Sequence, residues 1–151
     1  MREILFRGKR VDNGEWVDGF YVQDALIFNE SPQGFYPHAI WDSMENEFYL
    51  VIPETVGQYT GLHDKNGTKI FEGDIVRILY TDWFSKPDND PRTLAQYKKD
   101  ISTVGSVGYR GCEFGLHICS DYLDPLYEGK YGEKEILGNI HDNPELLEAQ
   151  P

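Results

Sequence analysis

A chain of 151 residues and 17.4 kDa is the size of one ordinary domain, and 40% hydrophobic residues with three Trp, ten Tyr and eight Phe exclude a disordered chain, which lacks the apolar surface to offset ordering entropy. Fourteen basic against 26 acidic side chains leave a net charge of −12, which excludes a general affinity for nucleic acid or anionic lipid, since both rest on clustered Lys and Arg. The charge is evenly spread, because residues 1–80 and 81–151 each hold seven basic and thirteen acidic groups, so there is neither an acidic tail nor a basic arm.

In chain order, residues 3–10 alternate loosely and run into Val11-Asp12-Asn13-Gly14, whose Asn-Gly pair tolerates the positive φ of a tight hairpin. Residues 15–22 form the return strand, in which Gly19 marks either a bulge or a close backbone approach. Ala25-Leu26-Ile27-Phe28 is a short strand ending in the turn formers of residues 29–34. A strand pair is expected over 35–41 and 47–52, connected by Asp42 to Asn46, with Phe48 to Ile52 buried.

The central stretch carries two turns. Asp64-Lys65-Asn66-Gly67 joins an Asp that hydrogen-bonds forward to backbone amides with two residues that accept the left-handed conformation, and Glu72-Gly73-Asp74 is the second. They flank the short segment Thr68 to Phe71 and lead into the β-branched strand Ile75 to Leu79, a pattern suited to the corners of a small barrel. The polar composition of residues 81–100 predicts an excursion from the core, its first part a loop and Pro91 to Tyr97 a short helix capped by Asp90. Strands return over 102–109 and 114–119 around a turn at Arg110 to Glu113, with Phe114, Leu116 and Ile118 on one face. Glu135 to Ile140 is the last strand, and a helical turn begins at Asn143 as N-cap with Pro144 behind it, Leu146 and Leu147 pinning it to the barrel.

The strings Ile4-Leu5-Phe6-Arg7-Gly8, Thr55-Val56-Gly57-Gln58-Tyr59-Thr60-Gly61-Leu62 with the two turns and Ile75-Val76 that follow, and Ile136-Leu137-Gly138-Asn139-Ile140-His141-Asp142-Asn143-Pro144-Glu145-Leu146-Leu147 together resemble the YopX family of small phage and prophage proteins. The resemblance covers residues 2 to 148, with 24–47 and 81–102 outside its motifs. It implies a mainly β protein with an SH3-like barrel in the C-terminal part, a phage or prophage origin and a homo-oligomer. It brings no catalytic or ligand residues. The expected organisation is one domain, 1–151, of N-terminal β hairpins over about 1–54 and an SH3-like barrel over 55–148 with the excursion at 81–102, plus a few short helices. The motif residues Gly57, Gln58, Tyr59, Gly61, Asp64, Asn66, Gly67, Gly73 and Asp74 have backbone roles.

His38, His63, His117 and His141 show no helical His pair and no Cys-x-x-Cys knuckle, so Cys112, His117 and Cys119 are the sole candidate metal ligands and no metal or cofactor is expected. Asp64 and Asp74 as paired carboxylates compete with their roles in turns, which are preferred. There is no Gly-x-Ser-x-Gly elbow and no phosphate-binding Gly-x-x-x-x-Gly-Lys-Ser/Thr loop. Tyr97 beside Lys98 and Lys99, and Tyr109 beside Arg110, are the candidate base-stacking sites, set against an acidic background.

The first ten residues are too charged for a signal peptide, and no run approaches the ~18 apolar residues of a membrane span, so a cytoplasmic protein of the bacterial host with reduced thiols is expected. The leading reading is a non-enzymatic accessory protein, a homo-oligomer whose further partner is a protein, with no general nucleic-acid or membrane binding. The alternatives are an acidic mimic or inhibitor of a host nucleic-acid-handling protein, and a small-molecule enzyme with an unrecognised site.

Overall fold

The computed structural model describes residues 4–26, 35–85, 96–110, 113–118, 122–125 and 133–148. The chain divides into two compact units, Met1–Leu62 with Lys69–Gly73, and His63–Thr68 with Asp74–Pro151. The expected boundary at 54/55 does not coincide with this division, because the segments after it are strands of the first unit.

The first unit is a six-stranded antiparallel sheet in the order β4-β3-β2-β1-β5-β6, built from β1 (Phe6–Lys9), β2 (Trp16–Leu26), β3 (Phe35–Asp42), β4 (Glu47–Leu50), β5 (Gly57–His63) and β6 (Lys69–Phe71). The β1–β2 hairpin turns where the Asn-Gly pair predicts, with Gly14 at φ 73°. In the β3–β4 hairpin Asn46 takes the left-handed conformation at φ 57°, and Asp42 Oδ1 accepts the N–H groups of Met44 and Glu45 at 2.7 and 3.2 Å. Gly19 marks a close approach and no bulge: its register with Phe6 is regular, and a Cβ there would lie closer than 3.0 Å to the Trp41 carbonyl oxygen. The expected strand at 25–28 is the end of β2 as far as Leu26, and residues 27–34 lie outside the described residues.

This sheet curls back on itself. Arg10 and Val51 form an isolated antiparallel bridge, with Val11 N–H donating to Leu50 O at 3.0 Å and Ile52 N–H to Lys9 O at 2.8 Å. A single 3₁₀ turn, Pro53–Thr55, locks the junction: Thr55 Oγ1 accepts the Lys9 N–H at 2.9 Å and donates to Ile52 O at 2.6 Å. From there β5 pairs with β1 on its other side, Phe6 opposite Gln58 and Arg7 opposite Gly57.

The second unit is a five-stranded antiparallel sheet ordered β10-β9-β8-β7-β11, from β7 (Asp74–Ser85), β8 (Gln96–Arg110), β9 (Glu113–Ile118), β10 (Tyr122–Pro125) and β11 (Lys134–Asn139). The mainly β architecture is as expected. Among the described residues, however, no ladder joins β10 to β11, so the SH3-like barrel is not closed; the segment between the two turns expected as barrel corners pairs instead in the first sheet, as β6. The described parts of the expected excursion are paired strand, from Thr81↔Asp100 to Ser85↔Gln96, because Thr81, Trp83 and Phe84 are strand formers whose preference the neighbouring charges conceal. Residues 91–95, most of the expected helix there, lie outside the described residues.

Ile75, Val76, Ile78, Val107, Phe114 and Leu116 are the buried hydrophobic side chains of this unit among the described residues, with Phe114 and Leu116 on one face as their alternation predicts. The last strand pairs with β7 through a register shift between Ile136 and Gly138. The terminal turn is the short helix α1 (Glu145–Glu148), with Leu146 and Leu147 half-buried. Asn143 Oδ1 accepts the Asn139 N–H at 3.4 Å, turning the side chain back toward the strand it follows. Among the described residues no helix is long and apolar enough to cross a membrane.

Candidate functional site

The register of the first sheet sets side chains from successive strands in one row. Phe48 on β4 faces Trp41 on β3, and Trp41 faces Phe20 on β2. The row continues through Leu5, just before β1, whose carbonyl oxygen accepts the Tyr59 N–H of β5 at 2.8 Å, and ends at Phe71 of β6, 5.6 Å from the Tyr59 ring. Alternation along each strand places all of them on the same face.

The two halves of the row differ in burial. Leu5, Tyr59 and Phe71 form a buried cluster. Phe20 is 45% exposed, and Trp41 and Phe48 are half-buried, with ring centroids 5.7 Å apart for Phe20 and Trp41 and 6.2 Å for Trp41 and Phe48. The apolar core of this unit thus continues to the surface as an aromatic ladder across three strands.

Cations of the chain occupy aromatic faces in the same unit. The Arg7 guanidinium lies 4.6 Å from the Trp16 ring and 4.9 Å from the Phe71 ring, Lys69 Nζ 5.6 Å from Tyr59, and Arg10 4.1 Å from Tyr49. Arg10 also pairs with Asp12 at 2.6 Å, a hydrogen bond that raises the guanidinium pKa and lowers that of the carboxyl. On the opposite face of the same hairpin, Asp42 and Glu47 sit directly across from one another. Between them Met44 is 92% exposed, and Glu45 accepts a hydrogen bond from the Tyr49 hydroxyl, which with burial raises the Tyr49 pKa.

The motif residues from the sequence are distributed over strands and turns and do not converge on this ladder. Asp64 is buried in its turn, Oδ1 accepting the N–H groups of Asn66 at 2.8 Å and Thr68 at 2.9 Å while Oδ2 accepts from Asn66 Nδ2 at 3.3 Å. Burial works against the charge, and the amide hydrogen bonds of Thr68, Asn66 and Ile136 together outweigh it, so this carboxyl titrates below the ordinary Asp range. Gly61, Gly67 and Gly73 have φ of 87°, 84° and 85°. Gly57 lies so close to the Glu72 carbonyl that a Cβ would fall within 3.0 Å of it, Gln58 O accepts the Glu72 N–H at 2.9 Å, and Tyr59 is in the core. Asp74 is 1% exposed at the start of β7, opposite Asn139.

Among the described residues no group of three or more His, Cys, Asp or Glu is placed to hold a metal ion. Cys112 and Cys119 lie outside the described residues, and His117 is described only as backbone on β9. His38 bonds to the Tyr21 hydroxyl through Nδ1 at 2.5 Å; His63 ends β5 and His141 lies in the turn after β11. Tyr97, Lys98 and Lys99 are backbone positions of β8, and Tyr109 packs edge-on against Phe114 at 4.9 Å. Phe20, Trp41 and Phe48 were missed as a set because each is ordinary within its own strand. Only the cross-strand register brings them together.

Comparison with known proteins gives a family model described as YopX protein that matches residues 5–148. Among solved structures the chain is similar to protein EF1440 from Enterococcus faecalis, at 22% identity over 97% of this chain and 99% of that chain, with a TM-score of 0.46. No curated protein matches.

Proposed function

The chain belongs to the YopX protein family, and on that premise we propose that it is a non-enzymatic phage or prophage accessory protein, a homo-oligomeric interaction module that meets a protein partner in the bacterial cytoplasm through the outer half of its aromatic row. The observation that carries this reading is the half-exposed ladder of Phe20, Trp41 and Phe48, continuous with the buried cluster of Leu5, Tyr59 and Phe71. Large aromatic side chains held rigidly on a sheet contribute strongly to interface energy, since little conformational entropy is lost when a partner covers them.

Assembly of copies is assigned to the sheet edges. The first sheet uses the end of β4 to close on residues 9–11, which leaves β6 as an edge, and the second sheet ends in β10 and β11. Such edges present backbone groups that a second copy can pair. Size-exclusion chromatography with light scattering is expected to give a multiple of 17.4 kDa, unchanged by Phe20→Ser or Trp41→Ser. A 17.4 kDa particle refutes the assembly. Dissociation by the two Ser variants makes the ladder the subunit contact and refutes its assignment to a different partner.

A further inference from the structure

We propose that the turn Asp64-Lys65-Asn66-Gly67 guards the outer edge of β11 against pairing with a second copy of this chain, and that removing the guard makes this edge an assembly site. The inference rests on the reading that copies join at sheet edges, and narrows it: from Lys134 to Ile136 the edge is already occupied, which leaves β6 and β10 to the native assembly.

The pairing of β11 with β7 fixes which of its backbone groups face outward. Glu133 O accepts the Leu79 N–H at 2.9 Å, and Glu135 lies opposite Arg77. By the alternation of an antiparallel pair, residues 133 and 135 direct their backbone groups to β7, while Lys134 and Ile136 direct theirs away from it. An added strand would donate to the one and accept from the other. The turn already does both: the Lys65 N–H donates to Lys134 O at 2.7 Å, and the Asp64 carboxylate accepts the Ile136 N–H in place of a backbone carbonyl. The turn is itself firmly closed, with the Gly67 N–H donating to Asp64 O at 3.0 Å and the Asp64 N–H to Thr68 O at 2.8 Å. Glu135, between the two edge contacts, is held from two sides, by Lys65 Nζ at 2.9 Å and Arg77 Nη1 at 3.3 Å. Beyond Ile136 the register shift before Gly138 ends the regular spacing that a second copy would need, and such irregularities blunt sheet edges. Turn and strand belong to the same compact unit.

The test uses the full chain and three variants. Lys65 is the second residue of its four-residue turn, a position that favours proline, so Lys65→Pro removes the N–H donated to Lys134 O while keeping the turn. Asp64→Ala removes the acceptor of the Ile136 N–H. Lys65→Ala, which keeps the N–H and loses only a water-exposed ion pair, is the control. Light scattering at equal concentration is expected to give Lys65→Pro and Asp64→Ala about twice the native mass, since two copies of one edge pair across a twofold axis. Their far-UV circular dichroism stays native, and Lys65→Ala keeps the native mass. Hydrogen exchange over residues 133–137 is expected to slow with rising concentration in the two unguarded variants alone. The inference is overturned if both keep the native mass, if exchange at 133–137 in the enlarged species ignores concentration, or if assembly of the native chain itself slows exchange there. That last result leaves edge assembly standing and moves it onto β11, and it decides the matter where the variants lose the native circular dichroism. A native chain of 17.4 kDa at every concentration refutes the native assembly alone, and the guard then stands or falls on the two variants.

Discussion

Asp64 has the residue type of a catalytic carboxylate and the surroundings of a turn residue. Its ionised form is held by the amides of Asn66 and Thr68 at 2.8 and 2.9 Å. Removing the side chain leaves those donors short of a partner, so Asp64→Ala is expected to lower stability by about 1–3 kcal/mol in urea denaturation, while Asp64→Asn, which keeps an acceptor oxygen, costs less. Because the folded carboxyl titrates below its unfolded value of about 3.9, its contribution is present above that pH and is lost as pH falls through the folded pKa. The stability gap between the native chain and Asp64→Asn should therefore narrow in acid; a gap that widens there contradicts the hydrogen-bonded role. Two glycines give a second residue-scale comparison. At Gly67 the obstacle is φ of 84° in open space, whereas at Gly57 it is the Glu72 backbone itself. Gly67→Ala is expected to cost about 1–2 kcal/mol from the left-handed conformation, and Gly67→Asn less. Gly57→Ala and Gly57→Asn are both expected to be costly, since either Cβ forces strand and turn apart. Thermal melts of the four variants separate conformational strain from steric exclusion.

At the scale of elements, the first sheet depends on a junction with few bonds. Thr55 both accepts from the β1 backbone and donates to Ile52, so one hydroxyl ties the 3₁₀ turn to the strand it closes against. Thr55→Val keeps the shape and removes both bonds, with an expected loss of about 1–3 kcal/mol, whereas Thr55→Ser retains them and should lose less; equal losses would assign the residue to packing instead. This junction also shows what the sequence makes legible. The turns at 11–14 and 64–67 could be read directly because their chemistry is local, an Asn beside a glycine at positive φ. The curl of the sheet could not, since it joins Lys9 to Thr55, and neither residue signals the other. The same holds for the ladder: Phe20 and Trp41 face each other across a register fixed by the whole β2–β3 pairing. At 81–85 and 96–100 the difference is of another kind: polar composition predicts an excursion, with a helix reaching Tyr97, where the backbone continues as paired strand.

For the molecule as a whole, the net charge of −12 works against the assembly proposed at the sheet edges. Copies of this chain repel one another, so joining edges opposes a field that salt screens. Raising NaCl from about 50 to about 500 mM, which shortens the screening length from over 10 Å to below 5 Å, is therefore expected to shift light-scattering mass toward the oligomer. A mass that falls as salt rises assigns the contact to charge complementarity instead of to backbone pairing at the edges.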